Sequence, residues 1–91
     1  MSAKEMFEAL GYKTISYGEQ EIIEYDMELG VNEIRKVVFN LDIKTFWYGD
    51  VRTTYFDGCR RKEYHLVLTT IDLYKAINQQ CKELFHFRKN I

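Results

Sequence analysis

Apolar side chains along this chain recur with the period of a helix at both ends and with the period of a strand between them. The first segment predicts a short helix, because three apolar residues share one helical face: Met6, Phe7 and Leu10. Ser2 and Glu5 have the spacing of a capping box at its start. Gly11 is the residue type that ends a helix in a left-handed conformation.

The segment that follows alternates between apolar and polar residues, as a strand with one buried side does. After a short strand at 14–17, the segment 22–29 places Ile23, Tyr25, Met27 and Leu29 on one side and Glu24, Asp26 and Glu28 on the other. A turn is expected at 30–32. The run from Glu33 to Ile43 alternates again, with Ile34 and Val38 on its second side. A break near 40–42 divides it from a strand that runs to Tyr48 and that Gly49-Asp50 closes.

The part of the chain after residue 50 is less regular. Residues 51–56 fit either a strand or a long loop, Asp57-Gly58 predicts a turn, and a short strand is expected at 64–68. The last helix is expected over residues 71–87, capped by Thr69 or Thr70. Its apolar stripe consists of Leu73, Ile77, Cys81, Leu84 and Phe85.

These elements predict one α+β domain covering residues 1–91. Hairpin-length connections imply an antiparallel meander of four or five strands, in the order α-β-β-β-β-α or with one strand more. The N- and C-terminal helices would cover one face of the sheet. The other face, with Glu24, Asp26, Glu28, Lys36 and Ile34, would be exposed or used for association.

Composition agrees with a small globular domain, since 46% of the 91 residues are hydrophobic and 30% are charged. No apolar run has the length of a membrane-spanning helix, and the N-terminus does not have the pattern of a secretory signal. Two cysteines are too few for a disulfide framework. We therefore expect a cytoplasmic protein.

The net charge of −1 conceals an uneven distribution. Residues 1–34 contain eight acids and two bases, whereas residues 35–91 contain six acids and eleven bases. We expect most of these charges to pair across neighbouring strands. An acidic face that meets a basic partner is the alternative.

Three segments resemble a group of small phage and prophage proteins of Gram-positive bacteria: AKEMFEALGY at 3–12, VFNLDIKTF at 38–46 and LTTIDLYKAINQQCKEL at 68–84. The chain departs from the group after Leu84, where those proteins often end in Gly-Trp. The resemblance rests on helix-forming and core residues and includes no catalytic motif. It implies an origin in a phage or prophage and action inside a bacterial cell, where small phage proteins commonly inhibit a host or defence protein.

Catalytic and metal-binding patterns are weak. Cys59, His65, Cys81 and His86 lack the close ligand pairs of a zinc site. Cys59 stands beside Arg60 and Arg61, yet no motif supplies a positioned base, so a turn cysteine is the better interpretation. No glycine-rich phosphate loop is present. We predict no enzyme activity, no cofactor and no metal.

Binding surfaces are better supported, because 15% of the residues are aromatic and a fold of this size cannot bury them all. We predict that the chain is a non-catalytic inhibitor that binds a bacterial host or anti-phage defence protein. The predicted contact residues are Trp47, Tyr48, Arg52, Tyr55, Arg60, Arg61 and Lys62, with Glu24, Asp26 and Glu28 as a second patch.

Two alternatives remain open. A small nucleic-acid-binding accessory protein would use an overlapping set of basic and aromatic residues, although a pI of about 6.1 argues against it. That set consists of Arg52, Arg60, Arg61 and Lys62 with Tyr48, Tyr55, Phe56 and Tyr64. The third possibility is a homo-oligomer that sequesters an anionic nucleotide between its subunits.

Overall fold

A computed structural model describes residues 1–16, 21–65 and 69–85. Helix α1 covers Ala3–Ala9 and begins with the predicted capping box. The Ser2 hydroxyl accepts a hydrogen bond from the Glu5 amide (3.2 Å), and the Glu5 carboxylate accepts one from the Ser2 amide (2.9 Å). Gly11 adopts a φ of 98°, so the predicted left-handed helix end is confirmed.

Five antiparallel strands follow in one open sheet of order β1-β2-β3-β4-β5. Their bounds are Lys13–Ser16, Ile22–Gly30, Glu33–Asn40, Thr45–Phe56 and Cys59–His65. Helix α2 covers Ile71–Phe85, and the Thr70 hydroxyl caps it by accepting from the Leu73 amide (3.1 Å). The predicted α+β meander with helices at both ends is confirmed, with five strands.

The prediction that Gly49-Asp50 closes a strand is wrong, because β4 runs through both residues to Phe56. Asp50 can lie inside the sheet because Arg35 on β3 neutralises its carboxylate through two hydrogen bonds (2.7 and 3.1 Å). The open choice at 51–56 is thereby decided in favour of a strand. The basic run at 60–62 belongs to β5, and so does Cys59, which we interpreted as a turn cysteine.

Three predicted elements lie partly outside the described residues, and the first is the strand expected at 14–17, whose last residue is not described. The strand expected at 64–68 contributes Tyr64 and His65 to β5, whereas 66–68 lie outside the described ranges. The last helix is described to Phe85, so its expected end at residue 87 lies outside as well. Leu29, expected on the buried side of β2, is 39% exposed because it stands at the end of the strand.

The core lies between the two helices and one side of the sheet. Phe7 of α1 stacks on Tyr25 of β2, with ring centroids 4.0 Å apart, and meets Phe39 of β3 edge-on. Helix α2 adds three buried apolar side chains: Leu73, Ala76 and Ile77. We call this side of the sheet the helix-covered face.

The opposite side of the sheet is the open face, and strand register defines its members. Cross-strand partners on it run in rows: Glu24, Val38 and Trp47; Asp26, Lys36 and Gly49; and Glu28, Ile34, Val51 and Tyr64. The sequence predicted this face only for β2 and β3, and the strand register shows that it continues over β4 and β5. The core clusters on the helix-covered face, so the open face must be stabilised by its own contacts.

Candidate protein-binding surface

An aromatic cluster lies on the open face where β3, β4 and β5 adjoin. The rings of Trp47 and Tyr64 meet edge-to-face with centroids 5.8 Å apart. Trp47 is 40% exposed and Tyr64 is 64% exposed, yet Val51 between Ile34 and Tyr64 is only 6% exposed. The cluster therefore combines a packed apolar base with aromatic surface that water still reaches.

A charged cluster occupies the same face next to the aromatic residues. The Lys36 ammonium contacts the carboxylates of Glu24 (2.7 Å) and Asp26 (3.2 Å) on the neighbouring strand. The expected pairing of charges across strands is confirmed here. Two of the three acids in the predicted second patch are thus engaged by Lys36, while Glu28 is exposed.

The pKa values of these two acids move in opposite directions. Burial, followed by the neighbouring Glu24 carboxylate, raises the pKa of Asp26 to about 6, against the lowering effect of Lys36. For Glu24, burial acts to raise the pKa, but hydrogen bonds with Asp26 and Lys36 outweigh it and hold the pKa below its usual value. The pair therefore tends to share a proton in mildly acidic solution.

Beyond Glu33, the first residue of β3, strands β4 and β5 continue alone as a two-stranded ribbon that consists of residues 53–62. Arg52 is the last residue of β4 that pairs with β3, and Thr53 to Phe56 pair only with β5. Tyr55 is 64% exposed, and the three basic residues of the ribbon are exposed as well: Arg60, Arg61 and Lys62. Within the described ranges, none of these three cations forms an ion pair.

The structure divides the predicted contact residues between the two sides of the sheet. Register places Trp47, Tyr55, Arg60 and Lys62 on the open face, together with Glu24, Asp26 and Glu28. Tyr48, Arg52 and Arg61 point to the other side. Tyr48 packs against the core, and Arg52 lies 3.7 Å from the Glu33 carboxylate.

Sequence reasoning left Tyr64 and Val51 out of the predicted protein-contact set. Tyr64 is a full member of the aromatic cluster, and Val51 forms its base. The signal that points to them is the second apolar side of β3, since Ile34 and Val38 need apolar neighbours on β4 and β5. Finding those neighbours requires the strand register, which the sequence pattern alone did not supply.

No cluster of metal ligands emerges among the residues that the structure describes. Cys59 is exposed on the ribbon, Cys81 is half-buried on α2 with its thiol pKa raised by burial, and His86 lies outside the described ranges. In the described part of the chain, no helix has the length and apolarity needed to cross a membrane. Comparison of the chain with protein-family models, curated proteins and solved structures gives no match.

Proposed function

We propose that this chain is a non-catalytic protein that acts by binding another protein through the open face of its sheet. The observation that carries the proposal is the aromatic cluster of Trp47, Tyr64 and Val51 on a sheet face opposite both helices. Trp, Tyr and Arg are the residues that most often dominate binding energy at interfaces. Here all three types stand on one face or at its rim.

The size of the face supports the same proposal. Five strands about 4.8 Å apart and about eight residues long present a face of roughly 600 Å². This area includes the ribbon and is about three quarters of the roughly 800 Å² that each side buries in a standard interface. Within this face the aromatic cluster is exposed apolar surface rimmed by charged side chains, which is the arrangement that marks interaction sites.

The resemblance to phage and prophage proteins leads us to propose that the partner is a bacterial host or defence protein, which the chain inhibits. This step rests on analogy, since fold alone does not specify function. The partner would bury Trp47 and Tyr55, and it would present acidic groups to Arg60 and Lys62. Arg52 would contribute at the rim, on the other side of β4.

The test is affinity capture from bacterial lysate with nuclease present, using three forms of the protein. We expect the wild type to retain a stoichiometric protein and the Trp47→Ala/Tyr55→Ala variant, which changes two side chains of the open face, to lose it by about 100-fold in affinity. Tyr74→Ala removes an aromatic side chain that is 61% exposed on α2, and it should bind as the wild type does. Thermal melts should show all three forms folded at the temperature of the assay, with a modest decrease for the double variant because it loses the Trp47–Tyr64 contact. A large loss of stability in the double variant would show that these residues act in the core.

A second candidate function is binding of nucleic acid by the ribbon, and one observation favours it. Arg60, Arg61 and Lys62 are exposed without an ion-pair partner among the described residues, on a two-stranded ribbon that extends beyond β3. Such ribbons fit the major groove of DNA, and neutralised phosphates make affinity fall steeply with salt. Capture that disappears with nuclease, or oligonucleotide affinity that falls steeply with salt, would favour this candidate.

A further inference from the structure

The direction of the backbone groups along β5 follows from one hydrogen bond. The Thr53 amide donates to the carbonyl oxygen of Asn32 (2.8 Å), which lies on the β3 side of β4. In an antiparallel strand, the N–H and C=O of one residue point to the same side. The N–H and C=O of Thr53 therefore both point away from β5. Thr53 and Lys62 consequently form a non-hydrogen-bonded pair of the antiparallel ladder.

The backbone N–H and C=O of Lys62 consequently point outward, away from β4. The same holds for residues two positions away, which are Arg60 and Tyr64. The intervening Arg61 faces β4, and the Thr54 hydroxyl contacts its carbonyl oxygen at 3.5 Å. In the described part of the chain β5 pairs only with β4, so this outward row has no strand beside it.

The three residues with outward backbone groups also have their side chains on the open face. Tyr64 belongs to the aromatic cluster, and Arg60 and Lys62 stand opposite Tyr55 and Thr53. A strand added to this edge would extend the open face by one strand. Its side chains on that face would lie directly beside Arg60, Lys62 and Tyr64.

Charge decides which strand fits. A second copy of β5 would bring Arg60 and Lys62 next to the same cations, and like charges in neighbouring positions destabilise a strand pair. A segment with acidic residues at every second position would instead place a carboxylate beside each of these cations. The edge therefore disfavours self-association and favours an acidic strand.

We infer that the free edge of β5 is a strand-addition site for an extended acidic segment of the partner protein. This inference rests on the proposed function and names the chemistry of the partner. Main-chain hydrogen bonds to Arg60, Lys62 and Tyr64 hold the segment, and alternating side chains give selectivity.

Two substitutions at one position test the backbone part of the inference. Lys62→Ala removes the charge and keeps the outward N–H, whereas Lys62→Pro removes both. Proline is tolerated on an edge strand where the N–H is not used by the sheet. The probe is a fluorescein-labelled peptide in which glutamate alternates with valine, with a lysine–valine peptide as its control, and binding is read by fluorescence anisotropy.

We expect the acidic peptide to bind and the basic peptide not to bind. Lys62→Ala should weaken binding about twofold to fivefold, the range for one cross-strand charge pair. Lys62→Pro should weaken it about tenfold further, through the lost hydrogen bond. Hydrogen exchange on the wild-type protein gives a second measurement without any variant. The amides of Lys62 and Tyr64 should become protected when the peptide is added, whereas that of Arg61 is protected throughout.

Several results would overturn the inference. Equal affinity of the Lys62→Ala and Lys62→Pro variants, unchanged exchange at Lys62 and Tyr64, or no peptide binding would each do so. A single-stranded oligonucleotide could instead bind more tightly than the peptide without increasing the protection of the edge amides. That result would overturn strand addition and indicate that the basic residues bind nucleic acid. A dimer in sedimentation that Lys62→Pro abolishes would indicate a second copy.

The lysate capture separates this inference from the proposed function. A partner that requires Trp47 and Tyr55 but binds equally to the two Lys62 variants would overturn strand addition and leave the proposed function intact. The opposite result is also informative. If the acidic peptide binds with the expected difference between the two Lys62 variants and protects the Lys62 and Tyr64 amides, but no protein is captured from lysate, the edge site is supported. The proposed host or defence partner is then contradicted.

Discussion

The indole ring of Trp47 lies over Gly49, two residues further along the same strand. A Cβ atom on Gly49 would stand 3.3 Å from Cζ2 of Trp47 and 3.0 Å from the carbonyl oxygen of His65. The absence of a side chain at Gly49 lets the ring lie close to the sheet and meet Tyr64 edge-to-face. The aromatic cluster of the open face thus depends on a glycine.

Gly49→Ala should displace the Trp47 ring and strain the β4–β5 pairing. We expect a loss of about 1–2 kcal/mol in the free energy of unfolding, typical of overpacking. Urea denaturation followed by tryptophan fluorescence measures it, and the emission maximum should move as the ring becomes more exposed. Gly30→Ala is the matched control, since a Cβ there meets no atom within 4 Å. Equal effects at the two positions would contradict the contact.

Tyr25→Phe should destabilise the core, because the Tyr25 hydroxyl donates a hydrogen bond to the side-chain oxygen of Gln80. Both side chains are fully buried, so removing the hydroxyl leaves the amide oxygen without this donor. We expect a cost of about 1–3 kcal/mol in chemical denaturation. Tyr55→Phe removes a hydroxyl from an exposed ring and should change stability by less than about 0.5 kcal/mol. A Tyr25→Phe protein as stable as the wild type would show that the bond contributes nothing net.

Arg35→Met should cost more than Arg52→Met, although each arginine faces a carboxylate. Arg35 forms two hydrogen bonds with Asp50, which is 8% exposed, whereas Arg52 lies 3.7 Å from the more accessible Glu33. We expect about 2 kcal/mol for Arg35→Met, which leaves a largely buried carboxylate unpaired, and under about 0.5 kcal/mol for Arg52→Met. The double variant Arg35→Met/Asp50→Leu should regain most of the loss. Failure to regain it would show that packing around the arginine stem, and not the charge, sets the cost.

Stability should depend on pH through Asp26. Its pKa is about 6 in the folded protein, raised from 3.8 mainly by burial, so the folded state holds this proton more tightly than the unfolded chain does. The free energy of unfolding therefore falls as pH rises from about 5 to 7. Glu24 acts in the opposite sense only at lower pH, because its folded pKa lies below 4.5.

Asp26→Asn should remove this dependence. The free energy of unfolding of the variant minus that of the wild type should be larger at pH 7 than at pH 5. Urea denaturation at both pH values measures this difference. Lys36 retains Glu24 as a partner in the variant, while Lys13 stands opposite position 26 on β1. Glu28→Gln, which changes an exposed carboxylate on the same strand, is the control and should leave the pH profile unaltered. A wild type whose stability is flat between pH 5 and 7 would contradict the raised pKa.

Local sequence signals predicted much of the fold. The capping box, the left-handed Gly11, the alternation in β2 and the Asp57-Gly58 turn depend on contacts within a few residues, and each was recognisable from residue type and spacing. The boundary at Gly49-Asp50 was wrong because glycine and aspartate ordinarily mark turns. What keeps them in β4 is a contact with Arg35, fifteen residues earlier.

The candidate site was predicted only in part. Sequence composition identified Trp47, Tyr55 and the basic residues 60–62 as contact candidates. It grouped Tyr48 and Arg52 with them because they are neighbours in the chain. In a strand, however, neighbours point to opposite faces, and β4 is one continuous strand through this region. Tyr64 joined the protein-contact set only when register set it beside Trp47.

The sequence by itself determined the helices at the two ends, the meander between them and the side of β2 that is buried, because those features follow from local periodicity and capping. The tertiary structure decided what stands on the open face and which backbone groups of β5 point outward. Both depend on the registers between β3, β4 and β5, which are set by long-range contacts such as Arg35 with Asp50 and Trp47 with Tyr64.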